Sequence, residues 1–106
     1  MKEKIQKFVN RINEKVQTKL SDDDRKFVGT EFPLKFVDLG DSYEIRMYSI
    51  ADVRGFDSYS ISKAIDQLFS GGRGSKYWLE VDDGIDNKVS KYSPLRNYKS
   101  FIFGTY

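Results

Sequence analysis

Residues 31–50 read EFPLKFVDLGDSYEIRMYSI, and this stretch decides the fold. Phe32, Leu34 and Phe36 alternate with other residues, and so do Tyr43, Ile45 and Met47. Alternation at period two marks strands with one buried face. Between the runs stands Leu39-Gly40-Asp41-Ser42. Glycine at the first central position suits a two-residue type II′ turn, and aspartate tolerates the second. With Gly40 and Asp41 as the loop, Phe36 faces Ile45 and Leu34 faces Met47, so both strands contribute to one apolar face. The other face sets Lys35 against Arg46 and Val37 against Glu44. A like-charge pair directly opposite is mildly destabilising. Either Glu44 sits diagonally and neutralises it, or this face contacts an anion. Pro33 lacks an amide proton, which places the first strand at an edge or starts it there.

An apolar hairpin face needs cover. Upstream, Ile5, Phe8, Val9, Ile12, Val16 and Leu20 predict an amphipathic helix over residues 3–20. At 100° per residue they fall within about 120° of arc. Lys4, Lys7, Arg11, Lys15 and Lys19 form a second stripe beside them, while Gln6, Asn10, Asn13 and Gln17 take the opposite flank with Glu3 and Glu14. The basic stripe suits an anionic partner, and it suits equally well lysines that cover the core edge. Ser21-Asp22-Asp23-Asp24 reads as the end of the helix or a loop; an Asp-rich turn accounts for it, and no calcium-loop spacing is present.

Downstream, Asp57 or Ser58 caps a helix over 58–70 with the stripe Ile61, Ala64, Ile65, Leu68 and Phe69, and Gly71-Gly72 stops it. This helix is expected to cover the hairpin. A strand over 75–82 points Tyr77, Leu79 and Val81 one way and Lys76, Trp78 and Glu80 the other. If the first set is core, the single Trp lies on an outer, charged face; the inverted register buries it. Asp82-Asp83-Gly84 reads as a turn, residues 85–96 as irregular, and 97–106 as a last strand. The expectation is one α+β domain spanning residues 1–106, in the order α-β-β-α-β-β. About four antiparallel strands carry helices on one face.

Composition narrows the chemistry. The chain has 106 residues, no Cys and no His. Disulfides, thiolate zinc sites, a cysteine nucleophile and the usual general base are therefore excluded. Most aspartates fall in turns, where backbone geometry explains them. No catalytic residue, metal ligand or cofactor is expected. No apolar run approaches a membrane span, and no signal-peptide core is present, so the expected setting is the cytoplasm. The net charge of +2 conceals segregation. Residues 1–20 hold six bases against two acids, residues 21–72 six against ten, and residues 73–106 six against four.

The segment Gly71-Gly72-Arg73-Gly74-Ser75-Lys76 invites close backbone approach beside positive charge, though a helix C-cap with a connection explains it too. It follows a helix and precedes a strand, the reverse of a phosphate-binding loop. Cations and rings interleave at Lys76-Tyr77-Trp78, Lys91-Tyr92 and Arg96-Asn97-Tyr98-Lys99. Such residues stack bases, and they also make protein hot spots. The candidate binding residues are Arg73, Lys76, Trp78, Tyr92, Arg96 and Tyr98, with the helix stripe Lys4, Lys7, Arg11 and Lys15.

Frequent Lys, Ile, Asn, Asp, Tyr and Phe, with only two Ala, resembles AT-rich coding in low-GC bacteria and their viruses. The expected function is a small non-enzymatic binding protein of a virus or mobile element. It would inhibit a host protein machine stoichiometrically, as a monomer or small homo-oligomer. Its partner would be a host protein or a protein–nucleic acid complex. The alternative is a nucleic-acid-binding accessory protein that contacts nucleic acid directly through its basic and aromatic surface.

Overall fold

The computed structural model describes residues 1–48, 58–70, 76–93 and 95–106. The elements are α1 (Lys2–Gln17), α2 (Asp22–Val28), β1 (Leu34–Asp38), β2 (Tyr43–Tyr48), α3 (Ser58–Ser70), β3 (Tyr77–Ile85) and β4 (Asn97–Thr105). The strands form one antiparallel sheet in the order β1-β2-β4-β3.

The hairpin has the register its alternation dictates: Leu34 pairs with Met47, Lys35 with Arg46 and Phe36 with Ile45. Gly40 takes φ +94°, the left-handed region that only glycine enters cheaply. The Leu39 amide donates to the Ser42 carbonyl at 3.0 Å and closes the turn. Leu34 and Ile45 are fully buried, with Phe36 and Met47 packed beside them.

The helices lie on that same face, but α1, and not the 58–70 helix expected there, lies against the hairpin. Helix α1 runs against β1, burying Ile5, Val9, Ile12 and Val16. Helix α3 lies over β4 and β3 instead of the hairpin. Its Phe69 stacks on Tyr77, with ring centroids 4.7 Å apart, and meets Phe103 edge-on. Strand β4 inserts between β2 and β3, so Phe101 and Phe103 fill the core under α3. The Tyr77 hydroxyl donates to Asp66 at 2.7 Å. That bond, with desolvation, holds the phenol above its ordinary pKa.

Three expectations of extent are corrected. The first helix ends at Gln17, not at residue 20. The Thr18 hydroxyl caps the Lys15 carbonyl at 2.8 Å, and the Gln17 side-chain nitrogen donates to the carbonyls of Gly29 and Phe32. The Asp-rich stretch, read as the end of the first helix or a loop, begins a helix of its own, α2. Ser21 caps it by accepting from the Asp24 amide, and three carboxylates occupy its first turn, where the helix dipole favours them. Gly29, at φ +76°, ends it. Finally, β3 continues through Asp82-Asp83-Gly84, the supposed turn, to Ile85. Asp83 pairs there with Lys99 of β4, an attractive cross-strand match. The expected cap at Asp57 and glycine stop at 71–72 lie outside the described residues.

Candidate functional site

The face of the sheet turned away from the helices carries two of the candidate residues, Trp78 and Tyr98. Alternation from the paired register puts Lys35, Glu44, Arg46, Tyr48, Trp78, Glu80, Asp82, Tyr98, Ser100 and Ile102 on it. Trp78 is therefore on the outer face, with Tyr77 and Leu79 turned to the core.

Two glycines shape this face. A Cβ on Gly104 would come within 3.0 Å of the Trp78 ring, and one on Gly84 would overlap the Tyr98 ring. Each aromatic thus lies across the strand over a glycine directly opposite it. Both rings stay half-buried. They sit at opposite ends of β3, six residues or about 20 Å apart.

A polar cluster fills the space beside Tyr98. The Arg46 guanidinium lies 4.7 Å from the ring centroid, and Tyr48 meets the same ring edge-on at 5.6 Å. Arg46 Nε donates to Glu44 at 2.9 Å, and the Ser100 hydroxyl donates to the other carboxylate oxygen. Glu44 is only 6% exposed and Ser100 equally buried, so both need these bonds. Partial burial opposes the charge on Arg46. The Glu44 carboxylate and the Tyr48 hydroxyl outweigh it and hold the guanidinium above its ordinary pKa. The Lys35–Arg46 juxtaposition is thus relieved on the Arg46 side, by the carboxylate two residues back on the same strand.

The remaining candidates separate. Lys76 is exposed just before β3, at the Trp78 end. Tyr92, 85% exposed, and Arg96, whose guanidinium donates to the Val89 carbonyl at 3.3 Å, lie on the connection that enters β4 at the Tyr98 end. Lys91 sits 5.2 Å over the Tyr92 ring. Arg73 lies outside the described residues. The helix stripe Lys4, Lys7, Arg11 and Lys15 is exposed on α1, on the other side of the sheet. Lys4, Lys7 and Arg11 line a cavity of about 400 Å³ between α1 and α3, over Phe8, Ala64 and Leu68.

Two features escaped sequence reasoning. Gly84 and Gly104 were readable as glycines inside strand runs, which mark close approach. The acidity of the outer face, from Glu80 and Asp82 beside buried Glu44, depends on the full length of β3. No group of three or more carboxylates that could hold a metal ion occurs among the described residues. No described helix is long and apolar enough to cross a membrane. No protein-family model, curated protein or solved structure matches the chain.

Proposed function

We propose that this chain is a small non-enzymatic binding domain whose partner is a protein, held on the outer face of the sheet. The carrying observation is the mixture of chemistry on that face. Two half-exposed rings, Trp78 and Tyr98, stand among Arg46, Lys35, Glu80 and Asp82. Aromatic and arginine side chains in a mixed-charge setting are the makings of a protein hot spot. A phosphate backbone would meet the carboxylates, and the cations best placed for it, Lys4, Lys7 and Arg11, lie on the far side of the sheet. That separation favours a protein over nucleic acid. The AT-rich style of composition supports a virus or mobile element as the setting, and a host protein machine as the stoichiometrically inhibited target.

Capture from lysate of a low-GC bacterium, with and without nuclease, tests the reading. The expected result is a protein retained after nuclease and in high salt, and lost with Trp78→Ala at an unchanged melting temperature. Binding that vanishes with nuclease or falls steeply with salt assigns the chain to nucleic acid instead.

A further inference from the structure

We infer that the β3 edge takes an additional strand: an extended segment of a protein partner in which basic and apolar residues alternate. The inference rests on the protein-binding reading above and adds the partner's conformation and side-chain pattern.

The backbone bonding phase comes first. The Asp86 amide donates to the Arg96 carbonyl at 2.7 Å, continuing the β3–β4 register by one pair. Bonded and non-bonded pairs alternate along an antiparallel ladder. Gly84, Asp82, Glu80 and Trp78 therefore bond to β4. Ile85, Asp83, Val81, Leu79 and Tyr77 turn their N–H and C=O groups away from the sheet. Strand β3 is terminal in the sheet, and no hydrogen bond among the described residues takes those groups. Nine residues of strand with one open side form a template for pairing.

Side chains then select the occupant. On the outer face the edge presents Glu80 and Asp82, both exposed and without an ion pair among the described residues. On the helix side it presents Val81, 43% exposed, and Ile85, 57% exposed. The strand carries no cation of its own. A second copy pairing β3 with β3 antiparallel about Val81 would set Glu80 opposite Asp82, like charge against like, which disfavours that dimer. A strand with Lys or Arg at alternate positions answers Glu80 and Asp82, and its apolar residues fall beside Leu79 and Val81.

The test uses the full chain, isotope-labelled, and a capped nine-residue peptide alternating lysine and valine. A second peptide of the same sequence is N-methylated at alternate residues. The first peptide is expected to bind and to protect the amides of Leu79, Val81 and Asp83 from hydrogen exchange. The N-methylated peptide is expected to fail. Glu80→Lys with Asp82→Lys should weaken binding about tenfold or more. Val81→Pro should abolish it while the chain stays folded, because that amide serves no ladder bond. Equal binding of both peptides, protection on β1 instead, or no binding at millimolar peptide overturns the inference. Loss of lysate capture in Trp78→Ala with intact peptide protection leaves both readings standing. Capture that survives Trp78→Ala while the peptide still protects β3 counts against the outer face alone. Capture that needs Trp78 without peptide protection counts against strand addition alone.

Discussion

At the β1 edge, the amide of Leu34 donates to the Asn13 side-chain oxygen at 2.9 Å, and the Asn13 side-chain nitrogen donates to the Leu34 carbonyl at 2.8 Å. The asparagine of α1 thus behaves as a short piece of neighbouring strand. Lys2 bridges Asp38 at 2.6 Å near the other end of the same edge. At the β3 edge the helix layer offers no such partner among the described residues. Helix α3 touches the face of β3, through Phe69 and Tyr77, and leaves Val81 and Ile85 uncovered. One sheet therefore ends in two ways. A helix that crosses a strand's flank can satisfy part of its backbone, as Asn13 does at Leu34, while a helix seated on the face leaves the flank to charge. Carboxylates at the open edge repel a second copy and leave room for a basic strand.

Four measurements break or sharpen this contrast. Asn13→Leu removes both partners of the buried Leu34 backbone. A loss of about 2–4 kcal/mol in urea unfolding is expected, with faster exchange of the Leu34 amide. A loss under about 0.5 kcal/mol would show that water serves the Leu34 backbone as well as the asparagine does.

Next comes a proline pair on β3. Asp82→Pro deletes a ladder donor to β4, whereas Val81→Pro deletes only an outward one. The first should cost about 2 kcal/mol more than the second in thermal or urea unfolding. The reverse order would shift the bonding phase by one residue and turn the Asp82 amide, in place of that of Val81, to the open edge.

Gly84→Ala places a methyl group where the Tyr98 ring lies. The ring must move, at a cost of about 1–2 kcal/mol, and Arg46 loses its stacking surface. Gly104→Ala, with its contact to Trp78 at 3.0 Å, should cost less. Equal melting curves for wild type and Gly84→Ala would mean that Tyr98 does not rest there.

The smallest effect belongs to the Lys2–Asp38 bridge. The lysine, then the Gly40 amide, hold the Asp38 carboxyl below its ordinary pKa, and Asp38 in turn raises Lys2. A depressed carboxyl contributes stability above its unfolded pKa and loses it as pH falls through the folded value. A raised lysine contributes below its unfolded pKa and loses it as pH rises through the folded one. The bridge thus acts across neutral pH and fades at both extremes. In a carbon-detected titration, Lys2→Ala should move the Asp38 midpoint up toward the ordinary carboxylate range. No movement would assign the depression to the turn alone.

Much of the fold was legible because it is written in local periods. The hairpin register follows from six alternating apolar residues and one glycine turn, all within neighbouring sequence. The stripe of α1 does too. The Asp-rich helix α2 was lost because the features that start it, a serine cap and early carboxylates, also make a turn. Asp82-Asp83-Gly84 misled for the same reason. In isolation it is turn chemistry, and only Lys99 and Tyr98 across the ladder make it strand. For the candidate site, alternation put Trp78 and Lys76 on one face of the strand and left open whether that face was outer or core. It could not show that Trp78 and Tyr98 stand at opposite ends, or that the α1 stripe lies behind them.

What the sequence by itself determined is each element's two-sidedness, because side-chain direction repeats every two residues in a strand and every 3.6 in a helix. Which strand neighbours which was decided by tertiary structure. Placing β4 between β2 and β3 sends α3 over Phe103 and Tyr77, leaves α1 to Leu34, and makes β3 an edge. Asn10 and Asn13 lie on the same flank of the same helix, yet Asn13 is buried and Asn10 is exposed. The difference is set by where β1 passes. Long-range pairing trades chain entropy against burial across the whole molecule, and no local period encodes that balance.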